Sequence, residues 1–182
     1  KLKLSLQTKD LKQKRELENK KKKKFRGSIR LNKKFPLAHR ALFYFLLRTK
    51  MNSEAIEQIH EMQNIFGKKA DLQSDLCRLL TMNGFLDQAL DQCPRAIRYN
   101  NKNEENYIYL AQSYFYTKEP QRSEKILLQT AKNFPKSEIA QFSAGQFFYV
   151  KNNFPVALKY LRQAVAVEPE SGRSQLIFAK AL

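Results

Sequence analysis

The chain of 182 residues repeats itself with a period of 34 residues. Small side chains recur at this spacing in three series, and large side chains recur in two further series in the same register. The clearest series of small residues is Ala55, Ala89, Ser123 and Ala157. One series could arise by chance, whereas five series in a single register identify a repeated structural unit.

The other four series show what the repeated unit must be. The remaining small series, each with one large exception, are Phe43, Cys77, Ala111, Gly145 and Ala179, and Met62, Ala96, Thr130 and Ala164. The large series are Leu46, Leu80, Tyr114, Phe148 and Leu182, and Leu42, Leu76, Leu110, Ala144 and Phe178. Two antiparallel helices approach closely only where side chains are small, and one helix pair cannot bury its apolar face alone. The period therefore predicts an all-α stack of helix pairs.

This pattern resembles the tetratricopeptide repeat (TPR) family, whose unit has small residues at positions 8, 20 and 27 and proline at position 32. Residues 138–171 match best, with Gly145, Ala157, Ala164 and Pro169 at those positions. The resemblance covers residues 36–182 and implies a right-handed α–α superhelix, a TPR-like solenoid of antiparallel helix pairs. Its repeats would lie near 36–69, 70–103, 104–137 and 138–171, followed by a lone helix at 172–182. The first repeat is degenerate.

The helices can be placed in this register. We expect them near 37–49, 53–66, 70–82, 86–99, 104–117, 121–133, 137–151, 154–167 and 172–182. Pro94 falls inside the second helix of its repeat, where it removes a backbone donor and clashes with the preceding turn. A kink or an early end of that helix is therefore expected.

The TPR resemblance also implies a concave groove lined by the first helix of each pair. The matching residues that we expect to contact a partner are Arg78, Tyr109, Gln112, Phe115, Tyr116, Phe142, Gln146 and Tyr149. At the positions of the family's carboxylate clamp this chain has Ser74, Arg78, Tyr109, Ile139 and Ser143, and a single cation does not make such a clamp. An aromatic, amide-rich groove suits a helix or an extended peptide with apolar anchors. The alternative is that several of these aromatic residues simply pack between repeats.

Positive charge is concentrated at the N-terminus. Residues 1–40 hold 16 Lys and Arg against three acidic residues, whereas residues 41–182 hold 18 against 14. We therefore predict a basic arm at 1–35 and a repeat domain at 36–182. The arm's cationic residues are Lys20, Lys21, Lys22, Lys23, Lys24, Arg26, Arg30, Lys33 and Lys34.

Several interpretations of the basic arm stay open. It could be a solvated, flexible or weakly helical extension, since like-charge repulsion disfavours an isolated helix through residues 20–24. It could bind an anionic membrane surface, with Phe25 and Phe35 inserting. It could also bind the phosphate backbone of a nucleic acid without sequence specificity, or an acidic protein.

Nothing in the sequence calls for catalysis, a cofactor or a metal. There is no glycine-rich phosphate loop, and neither cysteine belongs to a CxxC pair. Cys77 and Cys93 are expected to be free, buried thiols, which makes a reducing cytoplasm the default compartment, at most at the periphery of a membrane. His39 and His60 are expected to be structural. The leading hypothesis is a non-enzymatic scaffold that binds a segment of a partner protein in its groove, and the alternative is an anionic-surface binder that acts through the arm.

Overall fold

The computed structural model describes the backbone of residues 2–182 and the side chains of residues 12, 13 and 16–182. This part of the chain contains ten α-helices and no β-strand. They are α1 (Leu2–Leu31), α2 (Pro36–Arg48), α3 (Asn52–Phe66), α4 (Ala70–Met82), α5 (Leu86–Tyr99), α6 (Glu104–Tyr116), α7 (Pro120–Asn133), α8 (Glu138–Val150), α9 (Phe154–Val167) and α10 (Gly172–Ala181). The nine helices expected after residue 36 are confirmed, with no end displaced by more than one residue. Two compact units, residues 1–72 and 73–182, divide the chain, so the boundary predicted after residue 35 falls inside the first unit.

In the first unit, α1 carries all five consecutive lysines within a continuous helix. This helix is not isolated. The ring of Phe25 lies 5.5 Å from that of Phe45, and Ile29 is buried. Lys22 and Arg26 both bind the Glu54 carboxylate, at 3.0 and 2.9 Å. Packing against α2 and α3 thus offsets the repulsion between neighbouring lysines.

His39 is a structural residue of the first unit, as expected. Its side chain is fully buried, and its Nε2 lies 2.9 Å from the Lys33 carbonyl oxygen. Its Nδ1 lies 2.9 Å from the side-chain nitrogen of Gln58, and the ring of Phe66 packs edge-on against it. Both ring nitrogens are therefore occupied by structural partners. His60, by contrast, lies exposed on α3.

In the second unit, repeat positions 8 and 24 lie on the two helices of a pair and are buried in each of the three pairs. At residues 138–171 this pair is Gly145 and Leu161. A Cβ atom on Gly145 would lie 2.6 Å from Leu161 Cγ, so only glycine fits there without a shift. One repeat earlier the pair is Ala111 and Leu127, both buried. A small residue on the first helix thus faces a large one on the second.

The same two positions in the 70–103 repeat are Cys77 and Cys93, which form a disulfide. The expectation of free thiols is therefore wrong, although both residues are fully buried as predicted. The reason is geometric, because positions 8 and 24 face each other and bring the two Cα atoms to 4.7 Å. The inference of a reducing cytoplasm rested on free thiols and loses that support.

The helix that contains Pro94 does not end early. α5 continues from Leu86 to Tyr99 with Pro94 inside it. Ala89, Cys93 and Ala96 are fully buried on both sides of the proline. Packing along this stripe holds the two halves of the helix in place despite the missing backbone donor. A kink in the continuous helix remains the expectation.

The turns between the paired helices repeat the period in backbone conformation. Lys50, Gly84, Lys118 and Asn152 each adopt a positive φ, at 58, 77, 64 and 57°. These residues lie 34 apart, directly after the first helix of each pair. Glycine and asparagine favour this left-handed conformation, whereas lysine does not. Because two of the four positions are lysine, the recurring turn could not be recognised from the sequence.

The last helix is fixed to the preceding repeat by Glu138. This carboxylate is 6% exposed and accepts hydrogen bonds from Ser171 Oγ at 2.7 Å and from Ser174 Oγ at 2.5 Å. Arg173 completes the cluster through an ion pair. One period earlier, Ser137 Oγ donates to Glu104 at 3.0 Å. Burial opposes ionisation of Glu138, but the hydrogen bonds from Arg173, Ser174 and Ser171 outweigh it and lower its pKa.

We expect Glu138→Gln to destabilise the second unit by about 1.5–3 kcal/mol at neutral pH, the range for hydrogen bonds to a charged group. Because the folded-state pKa is lowered, the stabilisation is complete above the ordinary glutamate pKa of about 4.3 and is lost as pH falls through the folded-state value. Urea unfolding at pH 7 and pH 3 measures this. The difference between the variant and the wild type should be smaller at pH 3 than at pH 7, and the exposed Glu170→Gln serves as control. An equal difference at both pH values would contradict the assignment.

Candidate functional site

A cavity opens in the second unit between the first helices α6 and α8, with α7 behind them. We call it the α6–α8 groove. It has a volume of about 180 Å³ and is lined by Ile108, Gln112, Phe115, Tyr116, Ser123, Leu127, Ser143, Gln146, Phe147 and Val150. Most of these side chains are apolar, and the amides of two glutamines and the hydroxyls of two serines and one tyrosine interrupt this apolar surface.

The groove brings together four of the eight residues predicted to bind a partner. They are Gln112, Phe115, Tyr116 and Gln146. The Phe115 ring is fixed by edge contacts of 5.9 Å with both Tyr116 and Phe147. Tyr116 is 62% exposed, so its ring is accessible from solvent. These rings form one aromatic wall of the groove.

Two predicted aromatic residues pack elsewhere. Phe142 is only 9% exposed and belongs to the core of the second unit. The Arg173 guanidinium lies 5.2 Å from the centre of its ring and covers it. Tyr149 packs edge-on against Phe154 at the start of α9. For these two residues, packing within and between repeats is what the structure shows.

The last two predicted residues, Tyr109 and Arg78, are not among those that line the groove. Arg78 pairs with Asp75 one turn earlier on α4, at 2.9 Å. Burial raises the pKa of Tyr109, and the charge of Glu105 raises it further, while Arg78 opposes them. The Tyr109 hydroxyl therefore stays protonated at neutral pH and can donate a hydrogen bond.

Ser123 is one of the lining residues that the sequence alone did not single out for the groove. It is 1% exposed, lines the groove, and its hydroxyl has no hydrogen-bond partner. A buried unpaired hydroxyl is costly and calls for an explanation. The signal is present in the sequence, because Ser123 is the one polar member of a series that is otherwise alanine. Its small size fits that series, whereas its hydroxyl departs from it.

The described side chains contain no group of three or more His, Cys, Asp or Glu residues that could hold a metal ion. Both cysteines are consumed by the disulfide, so neither can act as a nucleophile with His39 or His60. None of the helices, as far as the chain is described, is long and apolar enough to cross a membrane. The site offers shape, apolar surface and a few hydrogen bonds.

Together, the paired helices, the small residues at their crossings and the 34-residue period define the tetratricopeptide repeat fold, and solved structures confirm it. The chain is similar to YrrB, a TPR protein with an unusual peptide-binding site, with 17% identity over 95% of this chain and 88% of that one, at a TM-score of 0.66. It is similar to MamA, with 18% identity, coverage of 90% and 96%, and a TM-score of 0.69. It is also similar to TTC0263, a thermophilic TPR protein of Thermus thermophilus, with 17% identity, 86% of each chain covered and a TM-score of 0.69.

Identities this low establish the fold alone. No protein-family model matches the chain, and no curated protein matches its sequence.

Proposed function

We propose that this chain is a scaffold that binds a segment of a partner protein in the α6–α8 groove and does not catalyse a reaction. The observation that carries this proposal is the unpaired, buried hydroxyl of Ser123 in a cavity walled by Phe115 and Tyr116. A cavity of about 150 Å³ lined by apolar side chains can hold a benzene molecule. The groove therefore has room for one apolar side chain of a partner.

The polar groups of the groove suit the backbone that would carry this side chain. Gln112 and Gln146 each offer a donor and an acceptor, which matches the alternating N–H and C=O groups of a peptide. Ser123 can donate to a carbonyl oxygen that enters the cavity. A terminal carboxylate is a poorer ligand, because Arg78 is already paired with Asp75. The peptide-binding site of YrrB, which shares this fold, is in keeping with the proposal.

The test removes the accessible wall of the groove without disturbing the core. We expect Gln112→Ala/Tyr116→Ala/Gln146→Ala to weaken peptide binding at least tenfold, because truncation of a central aromatic anchor alone costs about 2 kcal/mol. The probes are peptides selected on the wild-type chain from a random 12-residue display library. Their affinities are then measured by fluorescence anisotropy, and helicity by circular dichroism.

The matched control is Gln88→Ala/Tyr99→Ala/Gln121→Ala, which removes the same side-chain types from exposed positions outside the groove. Selected peptides should bind this control as they bind the wild type. If they bind the groove variant equally well, the proposed site is wrong. Phe142 is left unchanged, since truncation of a core residue would confuse loss of binding with loss of stability.

A second candidate function uses the exposed side of α1, which would bind a membrane surface, a nucleic acid or an acidic protein. Lys20, Lys23, Lys24 and Arg30 are exposed, and no described acidic group pairs with them. Other arm residues are less available than predicted, because Lys22 and Arg26 hold Glu54 and Phe25 packs against Phe45. The two candidates are distinguished by the same binding measurements on a variant in which those four exposed residues are all replaced by glutamate. Loss of all peptide binding in that variant, and not in the groove variant, would favour this candidate.

A further inference from the structure

A second groove lies on the other side of the same repeats, between the second helices α7 and α9. We call it the α7–α9 groove. Its volume is about 760 Å³, and its lining residues are Lys125, Leu128, Gln129, Ala131, Lys132, Pro135, Gln141, Lys159, Tyr160, Gln163, Ala166 and Val167. It shares no lining residue with the α6–α8 groove.

All the charged side chains that line the α7–α9 groove are positive. Lys125 and Lys132 line it from α7, and Lys159 lines it from α9. No acidic residue lines the groove, and none of the ion pairs among the described side chains involves these three lysines. Lys159 instead lies 5.5 Å from the centre of the Tyr160 ring. The groove therefore presents three positive charges that lack acidic partners.

The inner wall of the groove contains a buried hydrogen-bond acceptor that has no donor. Gln141 is 2% exposed, and its amide nitrogen donates to the carbonyl oxygens of Ala131 at 2.8 Å and Phe134 at 3.4 Å. Those two carbonyls fix the orientation of the amide, because only its nitrogen can donate to them. Its oxygen, Oε1, is buried without a hydrogen-bond partner. The same repeat position is tyrosine at 107 and glutamine again at 73 and 175, and of these glutamines Gln141 is the one that lines this groove.

We infer that the α7–α9 groove is a docking site for an extended acidic peptide segment that carries apolar residues between its acids. The three lysines would bind the carboxylates, and Leu128, Ala166 and Val167 would receive the apolar side chains. A backbone N–H of the peptide would satisfy Gln141 Oε1. This last requirement favours a peptide over the phosphate backbone of a nucleic acid, which accepts hydrogen bonds and donates none.

The spacing of the lysines defines the peptide further. Lys125 and Lys132 lie seven residues apart, which places them on one face of α7 and about 10 Å apart along its axis. An extended peptide covers that distance in about three residues. Acidic residues at intervals of two to four, with an apolar residue between them, would fit the groove.

The test uses a seven-residue peptide with glutamate at its first, fourth and seventh positions and leucine at the others, titrated into the isotopically labelled full chain and followed by NMR. We expect saturable shifts at the amides of α7 and α9 and at the Gln141 side-chain amide. Lys125→Glu/Lys132→Glu/Lys159→Glu should weaken binding at least tenfold. The matched control, Lys102→Glu/Arg162→Glu/Lys180→Glu, changes the net charge equally outside the groove and should stay within twofold of the wild type.

Three results would overturn the inference. The first is an equal loss of affinity in the control variant, which would mean that net charge alone attracts the peptide. The second is a set of shifts confined to α1 or to the α6–α8 groove. The third is an oligothymidylate that displaces the peptide from α7 and α9 at equal concentration, which would make the surface a general anion binder. The same peptide with glutamine in place of glutamate should not bind.

Discussion

Gly145→Val should destabilise the second unit by about 3 kcal/mol, at the upper end of the range for overpacked cores. The added Cβ would lie 2.6 Å from Leu161 Cγ and 3.1 Å from the Leu161 backbone nitrogen. Leu161 is fully buried and part of the core, so it has no free space to enter. Helix propensity alone would favour valine over glycine by a few tenths of a kcal/mol, which makes the expected sign informative. Urea unfolding, followed by circular dichroism, measures the loss.

Gly27→Val is the control for this substitution. Gly27 also lies inside a helix, and nothing lies within 4 Å of an added Cβ. We expect its effect to stay below about 1 kcal/mol. Leu161→Ala alone should cost about 2–5 kcal/mol. If positions 8 and 24 share one space, the double variant Gly145→Ala/Leu161→Ala should cost less than the sum of its single changes. Strict additivity would contradict this account of the helix pair.

Reduction of the Cys77–Cys93 disulfide should destabilise the second unit by about 3 kcal/mol, the chain-entropy value for a closed loop of about 15 residues. The two cysteines are 16 residues apart in sequence. Unfolding in urea with and without a phosphine reductant measures the difference. Two free thiols in the denatured, unreduced chain would contradict the pairing directly.

A packing control separates the effect of the covalent bond from the effect of the volume that the two side chains fill. Cys77→Ala/Cys93→Leu copies the Ala111–Leu127 pair of the next repeat, both members of which are buried in the present structure. This variant should be insensitive to reductant. It should also be more stable than Cys77→Ala/Cys93→Ala, which leaves a cavity at position 24. Equal stability of the two variants would mean that position 24 does not need a large side chain.

The helices could be predicted closely because the 34-residue period reports directly on packing. A helix pair can cross only at small residues, so the crossings fix the register, and the register fixes the ends of each helix. Which repeat positions contact each other across a helix pair cannot be seen in the sequence in the same way. Cys77 and Cys93 occupy two different positions of the repeat, and their contact appears only when both helices are placed.

The candidate site was predicted in part for a related reason. Gln112 and Gln146 follow from repeat position alone. Phe142 does not, because the side chain that covers it, Arg173, comes from the following repeat. The unpaired groups of Ser123 and Gln141 depend on which donors and acceptors lie within reach in three dimensions. A repeat register places residues on faces of helices and leaves their hydrogen-bond partners undetermined.

The four left-handed turns explain how a repeat can lose its signature and keep its geometry. The 36–69 repeat has Phe43 at a small position and Gly67 where proline is usual, and yet Lys50 reverses the chain with a φ close to those of its counterparts. The turn between the two helices of a pair thus has the same backbone conformation whether lysine, glycine or asparagine occupies it. A helix pair can therefore lose residues that are typical of the repeat while the conformation of its turn is kept.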